Sequence, residues 1–108
     1  MNKENANSQM RKGMLEYCVL LILKGRSSYA NDIINKMKDA DLIVVEGTLY
    51  PLLTRLKKDG LLSYEWQEST QGPPRKYYNL TESGKEALAD MEQTWDALVR
   101  TIHTLKNN

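Results

Sequence analysis

Six apolar residues near the end of this chain, Leu88, Met91, Trp95, Leu98, Ile102 and Leu105, alternate spacings of three and four. That period places them along one side of an α-helix, as a seam of about two and a half heptads. Thr81-Glu82-Ser83-Gly84 reads as the start of the helix, with Thr81 as cap and the acid near the positive end of the helix dipole. A chain of 108 residues has material for one modest core. A seam left facing water would be a large apolar patch, so these six residues are expected to form the interface of a homodimer.

The opening helix, expected from about Ser8 to Lys24, is apolar on more than one side. Met10, Met14, Tyr17, Cys18, Leu21 and Ile22 follow one helical stripe, and Leu15, Val19, Leu20 and Leu23 another. In so small a chain the second side is expected to meet the other protomer. Gly25 ends the helix, and Ser27 or Ser28 can cap the next, about Tyr29 to Lys38, with Ile33, Ile34 and Met37 on one face. Leu42 to Val45 reads as a brief strand.

The third helix is expected from about Gly47 or Thr48 to Asp59, with Leu49, Leu52, Leu53 and Leu56 as its core stripe. Thr48 reads as the N-cap and Pro51 as a first-turn proline, where a missing N–H is harmless. The opposite face shows Gly47, Pro51, Thr54 and Lys58, flanked by Tyr50 and Arg55. Gly60 closes the helix. Leu62 to Trp66 then alternates as a strand, Glu68 to Pro74 with Gly72, Pro73 and Pro74 reads as a loop, and Arg75 to Leu80 as the returning strand.

The fold class is therefore mainly α with a small β-hairpin (α+β). It is a winged helix-turn-helix over residues 1–80, followed by a long C-terminal dimerisation helix over residues 81–108. A helix of this kind fits the major groove of DNA, where base pairs present distinct donor and acceptor patterns. The preceding helix and the hairpin steady it through backbone contacts.

Composition narrows the alternatives. One cysteine, Cys18, and one histidine, His103, allow neither a disulfide framework nor a metal cluster, and no nucleophile, base and orienter can be assembled from them. No enzyme activity, metal or cofactor is expected. The longest apolar run, Cys18 to Leu23, is too short to cross a bilayer, and the polar Met1 to Gln9 lacks a signal core, which points to the cytoplasm. The net charge of +1 hides a gradient. Residues 1–38 carry seven basic and three acidic side chains, whereas residues 81–108 carry three and five. DNA binding must therefore rest on local placement of cations rather than on bulk charge.

Three stretches carry a family resemblance: Gly47 to Leu56 (GTLYPLLTRL), Asp59 to Leu62 (DGLL) and Arg75 to Gly84 (RKYYNLTESG). Together and in this order they resemble the PadR-type transcriptional regulators, and the resemblance runs from Met10 to about Leu105. It implies a homodimeric repressor of double-stranded operator DNA whose third helix enters the major groove and whose hairpin, the wing, reaches along the backbone. The single C-terminal helix is similar to a short subgroup that includes multidrug-sensing regulators. In some of these a tryptophan of the last helix stacks on planar aromatic ligands at the dimer centre, and Trp95 occupies the matching position, with Met14 as its candidate neighbour. The wing departs from the usual pattern, since Pro73 and Pro74 separate Gly72 from Arg75 and Lys76.

The candidate DNA contacts are thus Thr48, Tyr50, Thr54, Arg55 and Lys58 on the third helix and Arg75 and Lys76 on the wing. Tyr50 and Lys58 are expected at phosphates, and Arg55 or Thr54 at base edges. Tyr77 and Tyr78 point to opposite faces of their strand, so one is expected in the core. The rival reading is a winged-helix protein-interaction module without DNA binding, whose DNA affinity would show no salt dependence because no counterions are released.

Overall fold

The computed structural model describes residues 3–108, with side chains described from Met10 onward. Its elements in order are α1 (Lys3–Gly25), α2 (Ala30–Asp39), α3 (Glu46–Lys58), β1 (Leu62–Ser69), β2 (Gly72–Leu80) and α4 (Glu82–Lys106). Leu15, Val19, Leu20 and Leu23 are the face of α1 that enters the core. There they meet Ile33 and Met37 of α2, Leu49, Leu53 and Leu56 of α3, Leu62 and Tyr78 of the hairpin and Leu88 of α4. The other apolar stripe of α1 stays at the surface: Met14, Tyr17, Cys18 and Ile22 are half-buried, and Met10 and Leu21 are exposed. Burial pushes the Cys18 thiol pKa upward, so it behaves as a small apolar group.

Two helices end in the same way. At the end of α2 the Asp41 amide donates to Lys38 O and the Leu42 amide to Met37 O, with Asp41 at φ 63°. At the end of α3 the Gly60 amide donates to Lys57 O and the Leu61 amide to Leu56 O, with Gly60 at φ 80°. Both are Schellman closures, which need a residue in the left-handed region just past the helix. Glycine takes that conformation freely, and aspartate is among the few other residues that tolerate it.

Four local expectations are corrected. Leu42 to Val45 is not a strand, because the chain leaves the α2 closure and enters α3 within those residues, Val45 already being the N-cap. The third strand is instead a single bridge between Ser28 and Tyr78, whose amides and carbonyls pair in both directions at 3.2 and 2.8 Å. Ser28 is drawn into that bridge and buried, so Tyr29 takes the N-cap of α2 in place of Ser27 or Ser28. Thr48 lies inside the first turn of α3, which starts at Glu46, and Pro51 falls in the second turn. The ring of Pro51 offers no N–H to the Gly47 carbonyl one turn back, a helical bond lost on the exposed face.

The hairpin is longer than its sequence suggests. β1 and β2 are antiparallel with Tyr64 opposite Tyr78 and Trp66 opposite Lys76, and Ser69 faces Gly72 across a two-residue turn. Between Gln67–Arg75 and Ser69–Gly72 the register shifts, so Glu68 faces both Pro73 and Pro74. This β-bulge accommodates two residues that cannot donate to a ladder, and it brings Gly72-Pro73-Pro74 into the strand.

The junction with α4 is tight. The Gly84 amide donates to Thr81 Oγ at 3.0 Å, and Thr81 Oγ donates to the Gly60 carbonyl at 2.6 Å. Thr81 is thus the expected cap. A Cβ on Gly84 would sit 2.1 Å from the Leu61 carbonyl oxygen, so only glycine lets α4 approach this closely.

Candidate nucleic-acid interface

α3 turns Leu49, Leu53 and Leu56 into the core, which forces the opposite face outward. Thr48, Tyr50, Thr54 and Lys58 are all exposed there, Tyr50 by 48%. Thr54 Oγ donates back to the Tyr50 carbonyl at 3.0 Å. Arg55 lies off this line: its guanidinium donates to Glu16 of α1 at 3.2 Å, an ion pair at the helix flank.

Beside this face lies a groove of about 470 Å³ between the start of α2, α3 and the outer edge of β2. Tyr29 and Asn31 line one side, Tyr50 and Thr54 the floor, and Trp66, Arg75 and Lys76 the wing side. Strand alternation splits the wing residues between two faces. Tyr64, Trp66, Lys76 and Tyr78 share one, while Arg75 and Tyr77 share the other. Tyr78 is the core tyrosine, its phenol pKa pushed up first by burial and then by Tyr50 and Tyr64. Tyr77 stacks on Tyr29 with ring centroids 5.4 Å apart.

Three cations of this surface, Lys57, Arg75 and Lys76, rest on aromatic rings. The Lys76 ammonium is 4.6 Å from the Tyr64 centroid and 5.3 Å from that of Trp66. Lys57 lies 5.2 Å from Tyr64, and the Arg75 guanidinium 4.5 Å from Tyr29. Such contacts hold long, flexible side chains in place without neutralising them. Tyr29, Tyr64 and Trp66 are not among the contacts expected from the sequence. No periodicity signals them, because each acts through a ring that meets a cation or ring brought to it by the fold.

The second candidate region lies on α1 and α4. Leu88 is buried at 3% exposure inside its own protomer, and Met91 is half-buried. Trp95, Leu98, Ile102 and Leu105 are exposed, and Val99 joins them. The indole of Trp95 packs on Tyr17 with centroids 5.5 Å apart, above a shallow hollow of about 220 Å³ lined by Gly13, Tyr17, Met91 and Leu98 among others. Met14 does not line that hollow, and the aromatic neighbour of Trp95 is Tyr17, whose own pKa is raised first by desolvation and then by Glu92 and Asp96. Among the described residues no cluster of His, Cys, Asp or Glu could hold a metal, and no helix is long and apolar enough to cross a membrane.

Three helices, a wing and a following long helix define a winged-helix protein of α+β class. Residues 19–90 match the model of the PadR-like family of transcriptional regulators. A PadR-like transcription factor of Bacteroides fragilis is 63% identical, with a TM-score of 0.81 over 94% of this chain and 98% of its own. A PadR-like regulator of Bacillus cereus is 37% identical, with a TM-score of 0.82 over 93% of this chain and 98% of its own. A transcriptional regulator of Mycobacterium tuberculosis is 41% identical over 59 residues, 55% of this chain and 54% of its own. This chain belongs to the PadR-like family and is a transcriptional regulator. That is not a family of enzymes.

Proposed function

We propose that the chain is a cytoplasmic homodimer that binds a specific operator, represses the adjacent gene, and is released by a planar aromatic effector at the dimer centre. Residues 1–80 are its DNA-binding domain and residues 81–108 its dimerisation helix. The observation that carries this reading is the continuity of one surface. The exposed face of α3 runs into a groove whose far wall holds Arg75 and Lys76, each steadied on a ring. Thr48, Tyr50, Thr54 and Lys58 offer hydroxyls and a charge to the major groove, and the wing cations take phosphates. Arg55 joins them by leaving Glu16, an exchange that costs little because both side chains are partly solvated.

The exposed stripe of α4 is the seam through which two copies pair, and Trp95 stands on its edge over a hollow that a partner would roof. Two indole faces brought together there would stack on a flat ligand, with breadth of specificity because few hydrogen bonds are involved. An effector that shifts the two protomers changes the separation of the α3 helices. That separation must match half-sites roughly 34–36 Å apart.

The test is selection of binding duplexes from a random library by the full-length protein, followed by titration at several salt concentrations. The expected result is a shared inverted-repeat motif, with affinity falling log-linearly with salt. Lys76→Ala should weaken specific and non-specific duplexes alike and lower the salt slope by about one unit per protomer. Recovery of unrelated sequences, or binding indifferent to salt, would favour the protein-interaction module instead.

A further inference from the structure

We propose that Tyr29 is a positioning residue of the DNA site: it holds the Arg75 guanidinium at the mouth of the groove to meet a backbone phosphate. The proposal rests on the DNA-binding reading above and adds to it a residue that would not itself carry the charge.

Ser28 is bridged to Tyr78 in both directions, so the residue after it, Tyr29, stands beside the residue before Tyr78, which is Tyr77. The geometry bears this out, with the two rings 5.4 Å apart at 56°. Arg75 is two residues from Tyr77 and on the same strand face, and its guanidinium sits 4.5 Å from the Tyr29 centroid. The Tyr29 ring is therefore gripped by Arg75 and Tyr77 of β2, while its backbone caps α2. One half-buried side chain ties the start of α2 to the wing and sets the position of one of the two wing cations that line the groove.

The backbone adds a second donor at the same place. Tyr78 turns its amide and carbonyl outward to Ser28. By the alternation of an antiparallel ladder, Lys76 two residues earlier turns its amide to that same side, into the groove. A phosphate seated there would meet a fixed N–H, an ammonium resting on Tyr64 and Trp66, and a guanidinium resting on Tyr29. Arginine left free loses rotamer entropy on binding, whereas a stacked guanidinium is already placed and keeps its N–H edge open.

The experiment uses the full-length protein and a fluorescein-labelled duplex recovered from random-library selection, with anisotropy titrations at several salt concentrations. Tyr29→Leu should weaken binding about fivefold, the scale of a partly exposed cation–π contact. Its salt slope should stay at the parent value, since Arg75 still displaces a counterion, whereas Arg75→Ala should lower the slope by about one unit per protomer. Tyr29→Phe, which keeps the ring, should bind within about twofold of the parent. In an Arg75→Ala background, Tyr29→Leu should cost almost nothing more, because the pair acts as a unit. Circular dichroism and stoichiometric DNA titration of each variant separate lost positioning from lost folding. If Tyr29→Leu does not fold, Tyr29→Met takes its place in both backgrounds, with the same expected and overturning results. A loss in Tyr29→Phe additive with that of Arg75→Ala shows the hydroxyl, not the ring, to be the working group and overturns the proposal. Unchanged binding by folded Tyr29→Leu overturns it as well while leaving DNA recognition standing. A parent protein that selects no DNA removes both readings together.

Discussion

The two halves of α4 carry one hydrophobic pattern and meet opposite fates. In the first half Gly84 presses against the Leu61 carbonyl, Leu88 is buried, and Met91 is half-buried. In the second half Trp95, Leu98, Val99, Ile102 and Leu105 stay 38% to 65% exposed. The ion pair of Lys24 with Glu92, 3.1 Å long, stands where one regime gives way to the other. A helical seam read from sequence says that a face must be covered, but it does not say by what. Here the same protomer covers the first two turns and leaves the rest exposed, where the proposed dimer would place a second copy. Leu88, expected at the dimer interface, is placed instead in the protomer's own core.

Substitutions in each half should separate these roles. Leu88→Ala opens a cavity beside Leu23 and Leu80 and should lower unfolding free energy by about 2–5 kcal/mol in urea melts. A loss under about 1 kcal/mol would mean that the site collapses or that Leu88 is not a core residue. Leu98→Glu should leave the helical circular dichroism spectrum intact while weakening self-association at least about a hundredfold, since it places like charges in an apolar seam. Sedimentation at micromolar concentration reads this directly, and an undisturbed dimer would move the interface elsewhere. Gly84→Ala forces α4 off the Leu61 carbonyl and should cost about 1–3 kcal/mol of stability. Its thermal melting point should fall, with DNA binding below that temperature reduced only if the wing is displaced too.

Most of the architecture was legible in the sequence because it follows from periodicity. The stripe Leu49, Leu53, Leu56 fixed α3, and Thr81 with Gly84 fixed the start of α4. What was not legible depends on contacts between distant residues. Ser28 looks like a helix cap until Tyr78 is beside it, and Leu42 to Val45 look like a strand until the Asp41 closure uses up the space. Arg55 looked free for bases, but Glu16, 39 residues away, lies within reach of it. In the proposed DNA site the exposed residues could be read from helical geometry. The rings that steady the cations could not, since Tyr29 and Arg75 meet only through the fold.

Pro73 and Pro74 have a consequence outside recognition. A two-stranded ribbon has bare margins, and a bare margin invites a strand from another molecule to add on. The outer margin of β2 is closed at one end by Ser28, and Pro73 and Pro74 near its tip have no amide to offer an intruding strand. Edge-to-edge strand pairing between neighbouring molecules is thereby discouraged at the wing. In the proposed dimer, self-association is left to the helices.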